Sequence, residues 1–272
     1  MLRRALIAFV CVASAAGLQL GPGLTPVAAA PVKYAALGDS YSSGVGTRSY
    51  FSASGACHRS PFAYPEIIAH RLGWQLAFAA CADAKAGDVL NHQLGALSRD
   101  TQRVSITIGG NDAGFGPVIK ACIPAPNPFP VTCSSHIAAA NAFISNKLPG
   151  ILDNLFATIH SRAPHALVAV VGYPHLFVAG GAQCGPLDPF DHDQVKLNHT
   201  ADLLAGVMGA RARAHGFLFV DVRTAFAGHE ICSGHEWLNG PSNPQMESFH
   251  PNRQGQAAYA ALVESDFSAP HH

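Results

Sequence analysis

Short hydrophobic runs recur along the chain, and a polar or glycine-containing turn follows each of them. Because the residues of a run do not alternate with polar residues, the runs are typical of strands that are buried on both faces of a parallel sheet. Four runs occupy residues 34–37, 104–108, 167–171 and 217–220, and a weaker fifth run occupies residues 75–79. The pattern therefore predicts a central, mostly parallel sheet.

Longer segments with the character of helices lie between these runs. They occupy residues 65–72, 88–97, 136–161, 194–215 and 255–266. Pro149 is expected to kink or break the third segment, because proline disrupts a helix interior. Strands that alternate with helices indicate the α/β class, here a three-layer α/β/α sandwich. The irregular segments 123–133, 180–193 and 228–248 are expected to be loops, which in such folds build the ligand site.

The start of the chain has a different organisation from the rest. Arg3 and Arg4 precede an apolar run at residues 5–18, and three alanines follow at residues 28–30. This order of basic, apolar and small residues is that of a secretory signal peptide. The apolar run is shorter than the ~20 residues that a membrane-spanning helix needs. We expect residues 1–30 to be removed, and residues 31–272 to form one secreted domain, extracellular or in the cell envelope.

Composition narrows the classes of partner. The chain has 272 residues, of which 49% are hydrophobic, so it can bury a substantial core. Lysine and arginine together number 17, as do aspartate and glutamate, and no basic run stands out. Nucleic-acid binding usually requires such a basic patch. The sequence therefore favours a small neutral substrate and no nucleic acid partner. We also expect no stable membrane insertion and a monomeric protein.

Cysteine usage agrees with export. Cys11 lies in the leader, which leaves six cysteines for the secreted domain. An even number in an exported chain favours disulfides over free thiols, although several pairings are possible. We prefer the sequential pairing because each bond then closes a loop between candidate elements. The predicted pairs are Cys57–Cys81, Cys122–Cys133 and Cys184 with Cys232. A zinc site is the rival interpretation, but the chain has no Cys-x-x-Cys pair.

Three polar turns contain residues suited to one reaction. Ser40 follows the first predicted strand, Asn111 follows the strand at residues 104–108, and His250 precedes the last helix. Turns after parallel strands lie on one edge of the sheet, so these side chains can meet. A serine hydroxyl needs a base such as histidine to act as a nucleophile. The Asn111 amide and the Ser40 backbone N–H can stabilise the oxyanion, which predicts acyl transfer.

The same stretches resemble a known family. Gly38-Asp39-Ser40-Tyr41, Gly109-Gly110-Asn111-Asp112 and His250-Pro251-Asn252 with Gly255-Gln256 are similar, in order and spacing, to the motifs of GDSL/SGNH hydrolases. The similarity is to the secreted actinobacterial lipases and esterases, whose three sequential disulfides the six cysteines also match. The resemblance implies a flavodoxin-like SGNH fold and hydrolysis of small-molecule or lipid acyl esters without cofactor or metal. It makes Ser40 the nucleophile, His250 the base and Asn111 an oxyanion donor.

The resemblance has two departures. Where this branch has a glycine whose backbone N–H completes the oxyanion hole, the chain has Asp83, and Gly87 is the nearest glycine. Either residue could supply the third donor. Many relatives have an aspartate three residues before the histidine, whereas this chain has Glu247. The partner that orients His250 is therefore either the Glu247 side chain or a backbone carbonyl, as in a Ser-His dyad.

Other functions remain open at this stage. A carbohydrate deacetylase would use the same catalytic residues, and a non-catalytic secreted binding protein could retain the fold. Metal catalysis would require a ligand cluster, and the stretch "GHEICSGHE" brings four candidates together. They are His229, Glu230, His235 and Glu236. Their spacing does not match His-Glu-x-x-His, and Cys232 is assigned to a disulfide, so we expect no metal.

Overall fold

Five parallel strands form the central sheet of the computed structural model, which describes residues 30–122, 131–179 and 193–270. They are β1 (Lys33–Gly38), β2 (Gln75–Phe78), β3 (Arg103–Thr107), β4 (Leu167–Val171) and β5 (Leu218–Val220). Their order across the sheet is β2-β1-β3-β4-β5, and every neighbouring pair is parallel. This is the flavodoxin-like strand order. The predicted α/β class and parallel sheet are confirmed.

Helices cover both faces of the sheet. They are α1 (Ser40–Ser43), α2 (Tyr64–Leu72), α3 (Ala86–Asp88), α4 (Phe115–Cys122), α5 (Val131–Asn146), α6 (Leu148–Arg162), α7 (Gln194–Ala214), α8 (Arg223–Phe226) and α9 (Arg253–Ser268). Successive residues of β1 point to opposite faces: Tyr34 and Ala36 belong to one hydrophobic core, Ala35 and Leu37 to the other. Burial of both faces explains why the strand sequences are continuously hydrophobic.

Some predicted helices differ from the observed ones. The segment 136–161 is two helices, α5 and α6, and Pro149 lies in the first turn of α6, where proline is tolerated. The segment 88–97 is not a regular α-helix, because a wide turn at Val89–Gln93 and a tight turn at Leu94–Ala96 follow α3. The short helices α4 and α8 were not predicted.

Two of the predicted disulfides are present, Cys57–Cys81 and Cys122–Cys133. The third predicted pair includes Cys184, which lies outside the described residues, as do most of the proposed signal peptide and much of two predicted loops. Within the described part of the chain, no helix combines the length and apolar character needed to cross a membrane.

Candidate active site

Ser40 lies at the carboxyl end of β1, on the first turn of α1. The Asp39 side chain caps this helix by accepting a hydrogen bond from the Tyr41 backbone N–H at 3.0 Å. Aspartate is among the residues preferred at this position, because its carboxylate satisfies an amide that the helix leaves unpaired. The strand and the cap together fix the Ser40 hydroxyl at the edge of the sheet, where it is largely buried.

His250 reaches Ser40 from the loop before α9. Its Nε2 atom lies 2.8 Å from Ser40 Oγ. The loop is held by Asn239, whose backbone N–H donates to His250 O at 2.9 Å and whose carbonyl accepts from Phe249 N at 2.8 Å. Tyr41, next to the nucleophile, donates its hydroxyl hydrogen to Phe249 O at 2.6 Å. The serine and histidine segments are thus tied together directly.

Gly46 permits this close approach. A Cβ atom built at this position would lie 2.4 Å from Pro251 O and 2.9 Å from His250 Cβ, and the Gly46 φ angle is +102°. Any larger residue would therefore push the histidine loop away from Ser40. The glycine-rich end of the first polar turn serves the base as well as the nucleophile.

A backbone carbonyl, not Glu247, orients His250. Nδ1 of His250 lies 2.8 Å from Ser248 O. Because a carbonyl can only accept, Nδ1 carries the proton and Nε2 is free to accept one from Ser40. Glu247 is buried, and its carboxylate accepts a hydrogen bond from the Tyr50 hydroxyl. Of the two predicted partners for His250, the structure has the backbone carbonyl in contact with the ring, whereas one Glu247 carboxylate oxygen contacts Tyr50.

Replacing Glu247 by glutamine should therefore have little effect on catalysis. We expect kcat to fall by less than about threefold, whereas the same change at a triad aspartate of a serine protease costs about 10,000-fold. The glutamine oxygen can still accept from Tyr50. Steady-state kinetics of Glu247→Gln, with a thermal melt to verify folding, measure this. A loss above 100-fold in a folded variant would restore Glu247 as the acid.

The residues of three candidate oxyanion donors, Ser40, Asp83 and Asn111, line the same groove. Asn111 Nδ2 donates to Ala84 O at 3.1 Å, which fixes the amide and leaves its second hydrogen available. The Ser40 amide opens a helix and has no partner within it. Asp83 lines the groove that contains Ser40 and His250, whereas Gly87 lies in α3 and does not line it. Of the two predicted candidates for the third donor, the structure places Asp83 at the site.

Asp83 adopts the backbone conformation that a glycine would favour. Its φ angle is +62°, in the left-handed region. Aspartate tolerates this region better than most residues with a Cβ. The next segment is held to the polar turn after β3, because the Asp112 carboxylate accepts from the Ala86 backbone N–H at 3.1 Å. Asp83 thus has a backbone conformation that a glycine at this place could also adopt.

Burial changes the acidity of two groups at the site. It lowers the pKa of His250 to about 4, because burial disfavours the imidazolium; the hydrogen bond to Ser248 O and the negative charge of Asp83 act in the opposite direction. Burial also raises the pKa of Asp39 to about 6, against hydrogen bonds from Thr107, Tyr173 and Tyr41. His250 is therefore neutral at physiological pH, the state that a general base requires.

Two spaces meet at Ser40 and Asn111. The first is an apolar cavity of about 80 Å³ between the sheet edge and three helices. Its walls include Val118 of α4, Ile144 of α5, and Leu197 and Leu204 of α7. The second, which we call the polar groove, contains His250 and has several polar or charged residues among its walls. They include His58, Asp83, Lys120, Gln245 and Ser248.

The histidine-rich stretch has other contacts. His229 stacks on Trp237 with ring centroids 3.6 Å apart, and its Nδ1 atom lies 2.7 Å from His235 O. The carboxylates of Glu230 and Glu236 accept hydrogen bonds from backbone amides. Among the described residues, the grouping with metal-ligand proximity is Cys122, Cys133 and Asp193, and its two cysteines form a disulfide.

Sequence reasoning missed two residues that support the site. Asn239 holds the histidine loop, and the Asn-Gly-Pro sequence at 239–241 indicated a turn without indicating its partner. Tyr173 donates its hydroxyl hydrogen to Asp39 and lines the apolar cavity. Its position just after β4, at the same strand edge as Ser40, was the signal that could have identified it.

A hydrogen-bonded serine and histidine, with oxyanion donors beside them on a parallel α/β sheet, define a serine hydrolase. Residues 36–258 match the model of the GDSL-like lipase/acylhydrolase family. The chain belongs to this family. The predicted family and the predicted class of enzyme, a carboxylic ester hydrolase, are confirmed.

Several known lipases are similar to this chain over most of their length. Lipase 1 of Streptomyces coelicolor is 44% identical over 249 residues, which are 89% of this chain and 90% of that protein. The crystal structure of an extracellular lipase from Streptomyces rimosus has a TM-score of 0.81 at 43% identity, covering 86% of this chain and 99% of that one. Phospholipase A1 from Streptomyces albidoflavus has a TM-score of 0.80 at 41% identity, covering 87% and 99%.

Proposed function

We propose that the protein is a secreted lipase or esterase that hydrolyses acyl esters through an acyl-enzyme on Ser40. The observation that carries this proposal is the 2.8 Å contact between Ser40 Oγ and His250 Nε2, at the junction of an apolar cavity and a polar groove. One space suits an acyl chain and the other suits the alcohol part of an ester.

The reaction follows from the positions of these atoms. Ser40 Oγ attacks the ester carbonyl carbon while His250 Nε2 accepts the hydroxyl proton. The negative charge that forms on the carbonyl oxygen is stabilised by N–H groups of Ser40, Asp83 and Asn111. His250 then donates the proton to the leaving alcohol oxygen, which completes the acyl-enzyme. Water attacks the acyl carbon as His250 Nε2 accepts its proton. His250 then returns this proton to Ser40 Oγ as the carbon–oxygen bond to Ser40 breaks, which releases the carboxylic acid and restores the free enzyme.

The backbone carbonyl of Ser248 takes the place of the acid. By accepting the Nδ1 hydrogen bond at 2.8 Å, it holds the ring with Nε2 toward Ser40. A neutral carbonyl stabilises the imidazolium less than a carboxylate does. We therefore treat the site as a Ser-His dyad.

The apolar cavity supports a lipase-like substrate over an acetylated sugar. Its walls are mainly aliphatic, and an acyl chain gains about 0.8 kcal/mol for each buried CH₂ group. An acetyl group offers only one methyl group to these walls. A relative of similar fold is called a phospholipase A1, which supports lipid esters as candidates.

Export is part of the proposal. The order of residues at 1–30 supports a signal peptide, and the S. rimosus relative is described as extracellular. Residues 31–272 would then be the secreted, disulfide-containing hydrolase domain, which we propose to be monomeric.

A series of p-nitrophenyl esters of increasing chain length, a phospholipid and an acetylated sugar tests the function. We expect kcat/KM to rise from the acetyl ester to longer chains. Preference for the acetylated sugar would favour the deacetylase alternative. Absence of hydrolysis, together with absence of fluorophosphonate labelling, would favour a non-catalytic binding protein.

The acid limb of the pH profile of kcat/KM should lie at an unusually low pH. Because burial lowers the pKa of His250 to about 4, its basic form persists down to that pH. We expect kcat/KM to be nearly constant from pH 5.5 to 8 and to fall as the pH decreases through about 4. Initial rates at subsaturating ester concentration measure this. A limb centred near pH 6.5, the ordinary value for histidine, would show that the ring is solvated in the working enzyme.

A further inference from the structure

The two ends of an ester substrate can be assigned to the two spaces, and this step rests on the proposed function. His250 lines the polar groove and does not line the apolar cavity, whereas Ser40 and Asn111 line both. The leaving alcohol oxygen must come within reach of His250 Nε2, which protonates it. The alcohol part of the ester therefore occupies the polar groove, and the acyl chain occupies the cavity.

Asp83 lines that groove together with Ser40, Asn111 and His250. Its neighbour Ala84 accepts the hydrogen bond from Asn111 Nδ2 at 3.1 Å, so Asp83 adjoins the residue that holds the Asn111 amide. Asp83 is exposed, and it forms no salt bridge with any of the described residues. Its negative charge is felt at His250, whose pKa it raises against the effect of burial.

Lys120 is the lysine among the residues that line the groove, but it lies further from the reaction centre. Phe115 lines both spaces at their junction, and Lys120 follows five residues later on α4. At 1.5 Å per residue it is about 7.5 Å further along the helix axis. Asp83, whose charge acts on His250, is therefore the charged residue that we assign to the region of the scissile bond.

We propose that Asp83 is a specificity-determining residue that favours esters of cationic alcohols, such as quaternary ammonium alcohols, over esters of anionic alcohols. A positive group one or two bonds beyond the leaving oxygen would lie near the carboxylate, whereas a negative group there would be repelled. The glycine that this family branch has at the same place supplies the backbone N–H but no charge. Aspartate in place of this glycine thus keeps the backbone N–H and adds a negative charge that discriminates between alcohols of different charge.

Three esters that share the hexanoyl acyl chain and differ in the alcohol test the proposal. The alcohols are choline, its neutral dimethylbutyl isostere with a tert-butyl group in place of trimethylammonium, and an anionic sulfopropyl alcohol. Because these alcohols differ in leaving-group reactivity, the informative quantity is the change in the ratios of kcat/KM between wild type and Asp83→Asn. Asparagine removes the charge and tolerates the same backbone angle.

We expect Asp83→Asn to lower the cationic-to-neutral ratio, and to raise the anionic-to-neutral ratio, by about three- to tenfold each, as a Coulomb interaction at the protein surface would. Asp83→Gly should give the same shifts, and 0.5 M salt should reduce the wild-type preference. Asp100→Asn is the matched control, since it removes the same charge before β3, at the opposite edge of the sheet. Its ratios should equal those of wild type.

The outcomes separate this proposal from the proposed function. If all three esters are hydrolysed and Asp83→Asn leaves both ratios within twofold of wild type, the charge assignment is wrong and ester hydrolysis stands. A shift in Asp83→Gly without one in Asp83→Asn would also overturn it, because the cause would then be backbone geometry. If wild type hydrolyses none of these esters or the p-nitrophenyl series, both proposals fail.

Discussion

Ser40→Ala is expected to lower kcat/KM for acyl esters by at least about 10,000-fold, because no acyl-enzyme can form without the hydroxyl oxygen. The oxyanion donors and the apolar cavity remain in place, so ester binding should change little. Labelling by a fluorophosphonate should be lost in parallel. Steady-state kinetics and intact-mass measurement of the labelled protein give the two readouts.

Ser43→Ala provides a matched control on the same short helix. Ser43 is buried, and its hydroxyl makes a weak contact with Ser40 O at 3.3 Å. This variant should keep most of the activity and should still be labelled once. Retention of more than a tenth of wild-type activity by Ser40→Ala, or unchanged labelling, would move the nucleophile to another residue.

The strands of this fold could be predicted because burial on both faces leaves a direct mark on the sequence. Ala35, Val104 and Val168 are completely or almost completely buried, and each lies in a run without polar alternation. The helical segment after residue 88 could not be predicted in detail. Gln93 there accepts from Gly38 N at 2.7 Å and donates to Gly38 O at 2.9 Å. This contact joins residues 55 positions apart, which no local pattern shows.

The same distinction applies to the site. Ser40 and Asn111 could be located because each follows a strand at one edge of the sheet, and that position is fixed by topology. The role of Glu247 could not be predicted, because it depends on the direction of a side chain. The carboxylate turns to Tyr50, 197 residues away in sequence, and this leaves His250 to a backbone carbonyl. The choice between Asp83 and Gly87 likewise depended on backbone geometry, such as the φ angle of +62° at Asp83, that the sequence does not show.

Asn111→Ala should produce the second largest loss. Removing one preorganised oxyanion donor typically costs about 100- to 1,000-fold in kcat, because the hydrogen bond strengthens only as charge develops on the oxygen. KM should change little, since the ground-state carbonyl gains less from this donor. The amide's other hydrogen bond, to Ala84 O, is lost as well. We expect this to lower the free energy of unfolding by about 1 kcal/mol.

Two comparisons make the interpretation of Asn111→Ala specific. Asn146→Ala is a matched control, because Asn146 is exposed and its amide bonds to a carbonyl of its own helix at 2.8 Å. It should leave kcat unchanged. For Asn111→Ala itself, an intact kcat with a raised KM would mean that the amide acts in substrate binding. A fall in kcat of more than 100-fold, together with slower fluorophosphonate labelling, would instead place the Asn111 amide at the oxyanion. Ester hydrolysis and labelling both develop negative charge on an oxygen at that position.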